Sequence, residues 1–260
     1  MTAPLTESVI VSRLRAAGCV FAEDEARLIL ATARTDGDAS AMVERRAAGE
    51  PLEHVLGWAL FCGLRIAVDP GVFRPRRRTQ FLVLKAYALA PPQPVVLDLC
   101  CGSGALGAAL VSGMDEFVLH SADIEPASVR CARRNIAPFG GLAYEGDLFE
   151  PLPGTLRGRV DVLLANVPYV PTGDVGLMPA EARDHEPRVA LDGGADGLDV
   201  LRRVAAEAPH WLAPGGHLLF ETSESQVADA VAAVEQGGLA ATVATSEEFY
   251  ATVVVGTKSV

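Results

Sequence analysis

The sequence predicts an α/β protein with a mostly parallel, seven-stranded sheet that is covered by helices on both faces. From residue 95 onward, short apolar runs alternate with segments of helical periodicity, which is typical of parallel strands joined by crossover helices. The last two apolar runs are too close together for such a helix, so we expect them to pair antiparallel at one edge. The predicted strands are 95–99, 118–122, 142–145, 160–165, 217–221, 239–244 and 250–255, and the predicted helices are 104–113, 127–136, 199–211 and 226–236.

The first 93 residues have a different pattern. Apolar residues at helical spacing over 5–48 predict two or three short helices. Partial alternation with turn residues between 52 and 73 predicts a β-hairpin, and a helix is expected over 79–90. The proline-rich segment 91–94 ends this part, because proline terminates helices. We therefore expect a small helical N-terminal domain at 1–50, a β-hairpin and linker helix at 51–93, and the α/β domain at 94–260.

Composition narrows the function. The chain has 22 Lys and Arg against 33 Asp and Glu, a formal net charge of −11. Proteins that grip nucleic acid usually carry a basic surface, so nucleic acid is not expected as the main partner. The five cysteines are odd in number and have no metal-type spacing, which predicts free thiols. No apolar run is long enough to span a bilayer and no metal site is indicated, so a soluble, cytoplasmic protein is expected.

A glycine turn follows the first predicted strand of the α/β domain. Gly102, Gly104 and Gly107 formally satisfy G-x-G-x-x-G at the start of a helix. This motif lets backbone N–H groups approach a ligand closely at a helix N-terminus. By itself the motif fits either a nicotinamide cofactor or S-adenosylmethionine.

Acidic residues stand at the ends of three consecutive strands, at Asp98, Asp123 and Asp147. A carboxylate at Asp98 would repel a pyrophosphate but suits the amino and sulfonium groups of S-adenosylmethionine. Asp123 is placed to accept hydrogen bonds from the ribose hydroxyls, and Asp147 from an adenine amino group. The alternative is that each acid caps the helix that follows it. The three acids together favour S-adenosylmethionine as the cofactor.

The fourth strand ends in the turn Asn166-Val167-Pro168-Tyr169. An asparagine that leaves a buried strand is costly unless its amide is paired. Pro168 restricts Val167 to extended conformations, which would fix the Asn166 side-chain carbonyl beside the Val167 backbone carbonyl. Two adjacent acceptors suit an –NH₂ group, and Tyr169 could pack on a flat substrate group. The alternative is an ordinary strand-to-loop turn.

These motifs resemble the HemK/PrmC family of protein N5-glutamine methyltransferases, which act on peptide chain release factors. The 166–169 turn looks like the family's Asn-Pro-Pro-Tyr signature, and the glycine turn is similar to its cofactor loop. The run from Glu186 to Leu198 closely matches the family's Glu-Pro…Gly-Gly…Gly-Leu pattern, which is the more specific signal. Segments 49–52 and 70–76 resemble the stretch before the family's catalytic domain. The resemblance covers roughly residues 45–225.

The resemblance implies a Rossmann-like class I methyltransferase fold and methyl transfer from S-adenosylmethionine to a glutamine of a protein substrate, a release factor by family expectation. Within the run from Glu186 to Leu198 we interpret Glu186 as a structural partner of the substrate loop; the alternative is a general base. The resemblance places the substrate amide against Asn166, Val167, Pro168 and Tyr169. It implies that the cofactor is bound by Asp98, Cys100, Cys101, Gly102, Ser103, Gly104, Asp123, Ile124, Asp147, Leu148 and Asn166.

The chain departs from the family pattern at several positions. Val167 replaces the first proline of the signature, and Cys100 replaces the first glycine of the cofactor loop. The segment 77–80 is Arg-Arg-Thr-Gln where the family has acidic residues, and it is either a solvated basic cluster or part of the site entrance. The helical N-terminal part is also short for the family. The main alternative is an S-adenosylmethionine-dependent N-methyltransferase that acts on an exocyclic amino group of a nucleic-acid base; a nicotinamide oxidoreductase and a non-catalytic binding protein are the others.

Overall fold

The computed structural model describes residues 5–260, and its N-terminal part consists of three helices that pack on one another. Ile10, Leu14, Ile29 and Val43 are fully buried between them and form a small core of their own with Leu56. The two or three short helices expected here are thus observed as three. They are α1 (Glu7–Ala16), α2 (Ala22–Thr32) and α3 (Asp36–Ala47).

A hairpin and a longer helix follow the N-terminal helices. The hairpin turns at Cys62 and Gly63, which both have positive φ, 48° and 79°. Asn135 fastens it to the α/β domain, since its side chain exchanges hydrogen bonds of 2.9 and 2.8 Å with the backbone of Ala67. The predicted hairpin and linker helix are confirmed, whereas the five-residue helix before them was too short to show periodicity. The elements are α4 (Leu52–Leu56), β1 (Trp58–Phe61), β2 (Leu64–Ala67) and α5 (Gln80–Leu89).

The rest of the chain forms one seven-stranded sheet in the order β5-β4-β3-β6-β7-β9-β8. The first five strands in this order run parallel, and the β9 strand is antiparallel to both of its neighbours. The predicted antiparallel pair at one edge is confirmed, with the last strand of the chain in the inner position. The strands are β3 (Val95–Leu99), β4 (Val118–Asp123), β5 (Leu142–Glu145), β6 (Val160–Ala165), β7 (Leu212–Thr222), β8 (Ala240–Ser246) and β9 (Ala251–Thr257).

Helices cover both faces of the sheet, as the sequence predicts. Successive residues of a strand point to opposite faces, so Val96 joins the core with α5 while Leu97 joins the core on the other side. The short helix α8 lies in the connection after β6 and was not expected. The remaining helices are α6 (Ala105–Val111), α7 (Pro126–Ile136), α8 (Ala180–His185), α9 (Asp199–Trp211) and α10 (Val227–Gln236).

The parallel register brings four strand ends to one edge of the sheet. Leu99 at the end of β3 pairs with Ala122 of β4 on one side and with Ala165 of β6 on the other. Asp123 pairs in turn with Glu145 at the end of β5. Ligands of open α/β sheets bind at this carboxyl edge. Among the helices of residues 5–260, none is long and apolar enough to cross a membrane.

Candidate active site

A cavity opens at the carboxyl edge of β3, β4, β5 and β6 and contains most of the predicted site residues. The predicted residues that line it are Cys100, Gly102, Asp123, Ile124, Asp147, Leu148, Asn166 and Pro168. A further group of lining residues was not assigned to the site from the sequence, although Phe73 and residues 187–190 lie in segments that resemble the family. These are Phe73, Ala122, Glu125, Ser128, Pro187, Val189, Ala190, Val200 and Arg203.

Four predicted cofactor residues lie behind the cavity wall. The Asp98 carboxyl group is buried under the glycine turn, where its Oδ2 accepts a 3.0 Å hydrogen bond from the Gly107 N–H. The Cys101 N–H donates to the Ala122 carbonyl, and the Ser103 carbonyl accepts from Asn135. Gly104 has φ of +75°, and a Cβ there would lie 3.1 Å from Ala132 Cβ. These residues, Asp98, Cys101, Ser103 and Gly104, shape the turn and do not line the cavity.

Asp123 sits at the cavity edge with both carboxylate oxygens partly engaged. One oxygen accepts from the Gly102 N–H at 2.8 Å and the other from the Glu125 N–H at 2.9 Å. Burial raises the pKa of Asp123, and the backbone N–H donors oppose that shift. Each carboxylate oxygen keeps a second lone pair. Asp123 can therefore still accept from hydroxyl groups of a ligand.

Two non-glycine residues of the cavity wall have left-handed backbone conformations. Cys100 has φ of +51° and Leu148 has φ of +49°. Such conformations cost about 1–3 kcal/mol and cluster at functional sites. The Cys100 conformation gives the physical reason why a glycine is favoured at this point of the loop. Burial, together with the nearby Asp123 and Asp98, also raises the pKa of the Cys100 thiol, which keeps it protonated.

Asp147 is engaged at the rim of the cavity. Its Oδ2 forms a 2.6 Å ion pair with Arg203 from α9, on the exposed side of the site. An ion pair this exposed contributes little to stability. Because only Oδ2 is paired, Asp147 Oδ1 remains available to a ligand. Leu148 forms the apolar surface at this end of the cavity.

A second, smaller cavity adjoins the first and shares Phe73, Asn166 and Ala190 with it. Three residues of the 166–169 turn, Asn166, Val167 and Tyr169, line this space. The other lining residues are Arg76, Arg78, Thr79, Val170, Met178, Leu191 and Glu221. We refer to this space as the acceptor cavity.

The acceptor cavity contains buried polar atoms that have no partner. Asn166 Oδ1, Thr79 Oγ1 and Glu221 Oε2 are all buried, and none forms a hydrogen bond within residues 5–260. The Val167 carbonyl likewise accepts no backbone hydrogen bond from that part of the chain. A buried polar group without a partner costs about 1–3 kcal/mol. A ligand with complementary donors and acceptors would recover this free energy.

Tyr169 is held at the cavity by Glu221 and Arg78. The tyrosine hydroxyl donates to Glu221 Oε1 at 3.1 Å, and Arg78 Nε forms a 2.7 Å ion pair with the same oxygen. The Arg78 guanidinium also contacts the Tyr169 hydroxyl and lies 5.7 Å from its ring centroid. Burial and the Glu221 charge raise the pKa of Tyr169, so its hydroxyl stays protonated. Arg78 is therefore part of the site entrance, whereas Arg77, which is exposed like Arg78, does not line this cavity.

Glu186 anchors the loop that forms one wall of both cavities. Its side chain is fully buried and pairs with Arg74 Nε at 2.8 Å and with Arg76 Nη2 at 2.5 Å. Two cations hold this carboxylate in place. The geometry agrees with the interpretation of Glu186 as a structural partner of the substrate loop.

The glycine run after Glu186 allows backbone segments to pack directly against the 166–169 turn. A Cβ on Gly193 would lie 2.6 Å from the Pro168 carbonyl oxygen, and one on Gly197 would lie 2.3 Å from that of Tyr169. Gln226 Nε2 closes this contact by donating to the Tyr169 and Asp196 carbonyls, both at 2.9 Å. Gln226 is a supporting residue that no sequence motif indicated.

Comparisons with known proteins agree with this geometry. Residues 63–181 match the family model described as "Methyltransferase small domain". The chain is 40% identical over 187 residues to a release factor glutamine methyltransferase of Geobacter sulfurreducens, covering 71% of this chain and 65% of that protein. It is 37% identical to the protein of the same name from Mycolicibacterium smegmatis, covering 76% of this chain and 70% of that protein. The chain belongs to the release factor glutamine methyltransferase family. It spans about two thirds of the length of these two relatives.

The solved structures support the fold. A methyltransferase from Pyrococcus furiosus superimposes with a TM-score of 0.58 at 16% identity, covering 86% of this chain and all of that one. At this identity the likeness shows the fold alone. The Rossmann-like class I methyltransferase fold expected from the sequence is therefore confirmed, and family membership confirms S-adenosylmethionine as the cofactor.

The close packing at Gly193 predicts that a side chain at this position lowers the stability of the fold. Gly193→Ala should lower the free energy of unfolding by about 1–3 kcal/mol, because the added methyl group overpacks against two backbone oxygens. Denaturant unfolding measures the change. The control is Gly154→Ala, where an added Cβ meets no atom within 4 Å. Equal stability of the Gly193 and Gly154 variants would contradict the close packing.

The buried Asp98 carboxyl predicts a pH dependence of stability. Burial, with a smaller contribution from Asp123, raises its pKa to about 8. In the unfolded chain the Asp98 carboxyl loses its proton near pH 4. The contribution of Asp98 to the free energy of unfolding is therefore fully present below that pH and is lost as the pH rises to about 8. Wild type should therefore lose stability relative to Asp98→Asn over this window, by at most about 1.4 kcal/mol per pH unit.

Denaturant unfolding of both proteins between pH 5 and pH 9 measures this difference. Asp115→Asn, a matched change at an exposed aspartate, serves as the control. If wild type and Asp98→Asn differ by a constant amount at every pH, Asp98 is not buried in protonated form.

Proposed function

We propose that this chain transfers a methyl group from S-adenosylmethionine to the side-chain amide nitrogen (N5) of a glutamine, and that the glutamine belongs to a peptide chain release factor. The observation that carries the proposal is the unpartnered Oδ1 of Asn166, which is buried where the two cavities meet. A pocket that binds the methyl donor and a pocket that binds the acceptor must meet at the reacting atoms. Asn166 lies at that point.

The acceptors at the meeting point are suited to an –NH₂ group. Asn166 Oδ1 and the Val167 carbonyl are adjacent along the chain, and Pro168 has no N–H that could compete for them. A primary amide supplies two N–H donors, one for each acceptor. Valine in place of proline keeps the backbone carbonyl, so this departure from the family signature leaves the acceptor in position.

The larger cavity fits S-adenosylmethionine by its chemistry. Asp123 would receive the ribose hydroxyls, Leu148 and Ile124 would lie along the adenine, and the Gly102 turn would admit the methionine part. The acids Asp123, Asp147 and Glu125 favour a ligand that carries positive charge. When bound, the cofactor supplies an electrophilic methyl carbon for an in-line displacement.

Residues of this chain would promote the reaction by orientation. An amide nitrogen is a poor nucleophile because its lone pair is delocalised, so alignment is the main task, and it can supply about 7–11 kcal/mol in favourable cases. Asn166 and Val167 would fix the nitrogen through its hydrogens. The same two oxygens favour the positive charge that develops on it, and the methylated nitrogen then loses one proton to water, which restores the neutral amide. Tyr169, held by Glu221 and Arg78, would close the pocket over the flat amide.

Two observations favour a protein over a nucleic acid as the substrate, namely the names of the relatives and the net charge of the chain. Two relatives that match most of the chain are named release factor glutamine methyltransferases. An exocyclic amino group of a base would offer the same two donors, but a net charge of −11 opposes binding to a nucleic acid. We further propose that residues 1–50 and 51–93 act as substrate-recognition and linker parts, and that 94–260 is the methyltransferase domain.

Substitution of Asn166 tests the role of the central acceptor. Asn166→Ala should lower kcat at least 100-fold, since removal of one preorganised hydrogen-bonding group typically costs that much. S-adenosylmethionine affinity, measured by calorimetry, should change by less than about 10-fold, because most of the larger cavity is untouched. The control is Gln236→Ala, which removes an exposed amide. Retained turnover would remove Asn166 from the mechanism.

The substrate assignment is tested by incubating the purified chain with radiolabelled S-adenosylmethionine and a release factor from the same cell. Mass spectrometry should locate one methyl group on a glutamine side chain of the release factor. Label on other proteins of a cell extract but not on the release factor would keep the enzyme and overturn the substrate. Label on nucleic acid alone would overturn the proposed function.

A further inference from the structure

Three unpartnered polar atoms converge on the acceptor cavity, and their chemical types differ. Asn166 Oδ1 is an acceptor only, and so is Glu221 Oε2 in an ionised glutamate. The Thr79 hydroxyl can also donate a hydrogen bond. A primary carboxamide has two N–H donors and one carbonyl acceptor. The cavity therefore needs a donor as well as acceptors, and Thr79 is the donor among its fully buried unpartnered atoms.

The position of Thr79 makes its free hydroxyl unusual. Thr79 is the last residue of a 3₁₀ turn, Arg77–Thr79, that continues into α5, and its backbone is helical, with φ of −67° and ψ of −12°. Its hydroxyl makes no hydrogen bond to the helix, and the residue is only 1% exposed. Neither capping nor water therefore accounts for the hydroxyl, which lines the acceptor cavity.

We infer that the Thr79 hydroxyl donates a hydrogen bond to the carbonyl oxygen of the substrate carboxamide. This role deepens the proposed function and rests on it. Asn166 and Val167 recognise the –NH₂ group that an amide shares with an amine, so they do not distinguish the two. Thr79 recognises the oxygen that only the amide has. Thr79 is therefore the residue that makes the site specific for a glutamine side chain over an amine.

Two arginines of the same cavity are less suited to this role. Arg76 is paired with the buried Glu186, and Arg78 is paired with Glu221 and Tyr169. Their side chains are 25% and 47% exposed, so water satisfies their remaining donors. Thr79 has no such access. A substrate carbonyl is the partner that would satisfy its hydroxyl.

The test is Thr79→Val, which keeps the shape of the side chain and removes the hydroxyl. With the release factor as substrate, kcat/KM should fall about 10–100-fold, because the amide oxygen is left buried without a partner. The Kd of S-adenosylmethionine should stay unchanged. The melting temperature should rise by about 2–4 °C, since an unpartnered buried hydroxyl is replaced by a methyl group. A residue with a merely structural role would lose stability and activity together.

Thr79→Ser restores the hydroxyl and should recover kcat/KM to within about fivefold of wild type, a loss of at most about 1 kcal/mol. Thr242→Val, at an exposed threonine, is the matched control. A Thr79→Val protein with wild-type kcat/KM, or one with lowered melting temperature, overturns the inference while the proposed function stands. A wild-type chain that labels no glutamine overturns both.

Discussion

The parallel register of β3 with β4 and β6 is the constraint on which the site depends. Because Leu99 is paired with both Ala122 and Ala165, the chain leaves three neighbouring strands at the same level of the sheet. The glycine turn, Asp123 and Asn166 follow these pairs directly and so reach one edge together. A slip of one residue would turn each side chain to the opposite face, and the two cavities would no longer meet at Asn166.

A network of charged groups joins this edge to the N-terminal helices. Arg46 of α3 pairs with Glu25 of α2 and with Glu181 of α8, both at 2.7 Å. Glu181 also approaches Arg74, which pairs with Glu186. The wall of the acceptor cavity is thereby tied to the part proposed to recognise the substrate. Removal of one partner from such a buried pair is costly, because the remaining charge has no compensation.

Much of the fold could be predicted because its signals are local. The strands Val95–Leu99 and Val160–Ala165 are apolar except for one aspartate each, and their bounds are as predicted. The helix α8 and the role of Gln226 could not be predicted, since both depend on contacts between distant segments. Most of the site residues that the sequence indicated line the two cavities, but the sequence did not show which way each side chain points. Asp98 turns toward Gly107 behind the cavity, and no sequence pattern indicates that the Thr79 hydroxyl is buried without a partner.

The central claim is that the acceptor cavity is complementary to a carboxamide, and a crystal structure tests it most directly. The crystals would contain the chain with S-adenosylhomocysteine and N-acetyl-glutamine N-methylamide. The account predicts the side-chain amide nitrogen within hydrogen-bonding distance of Asn166 Oδ1 and the Val167 carbonyl, with the amide oxygen toward Thr79. An amide bound outside this cavity, or bound with its oxygen toward Asn166, would contradict the account.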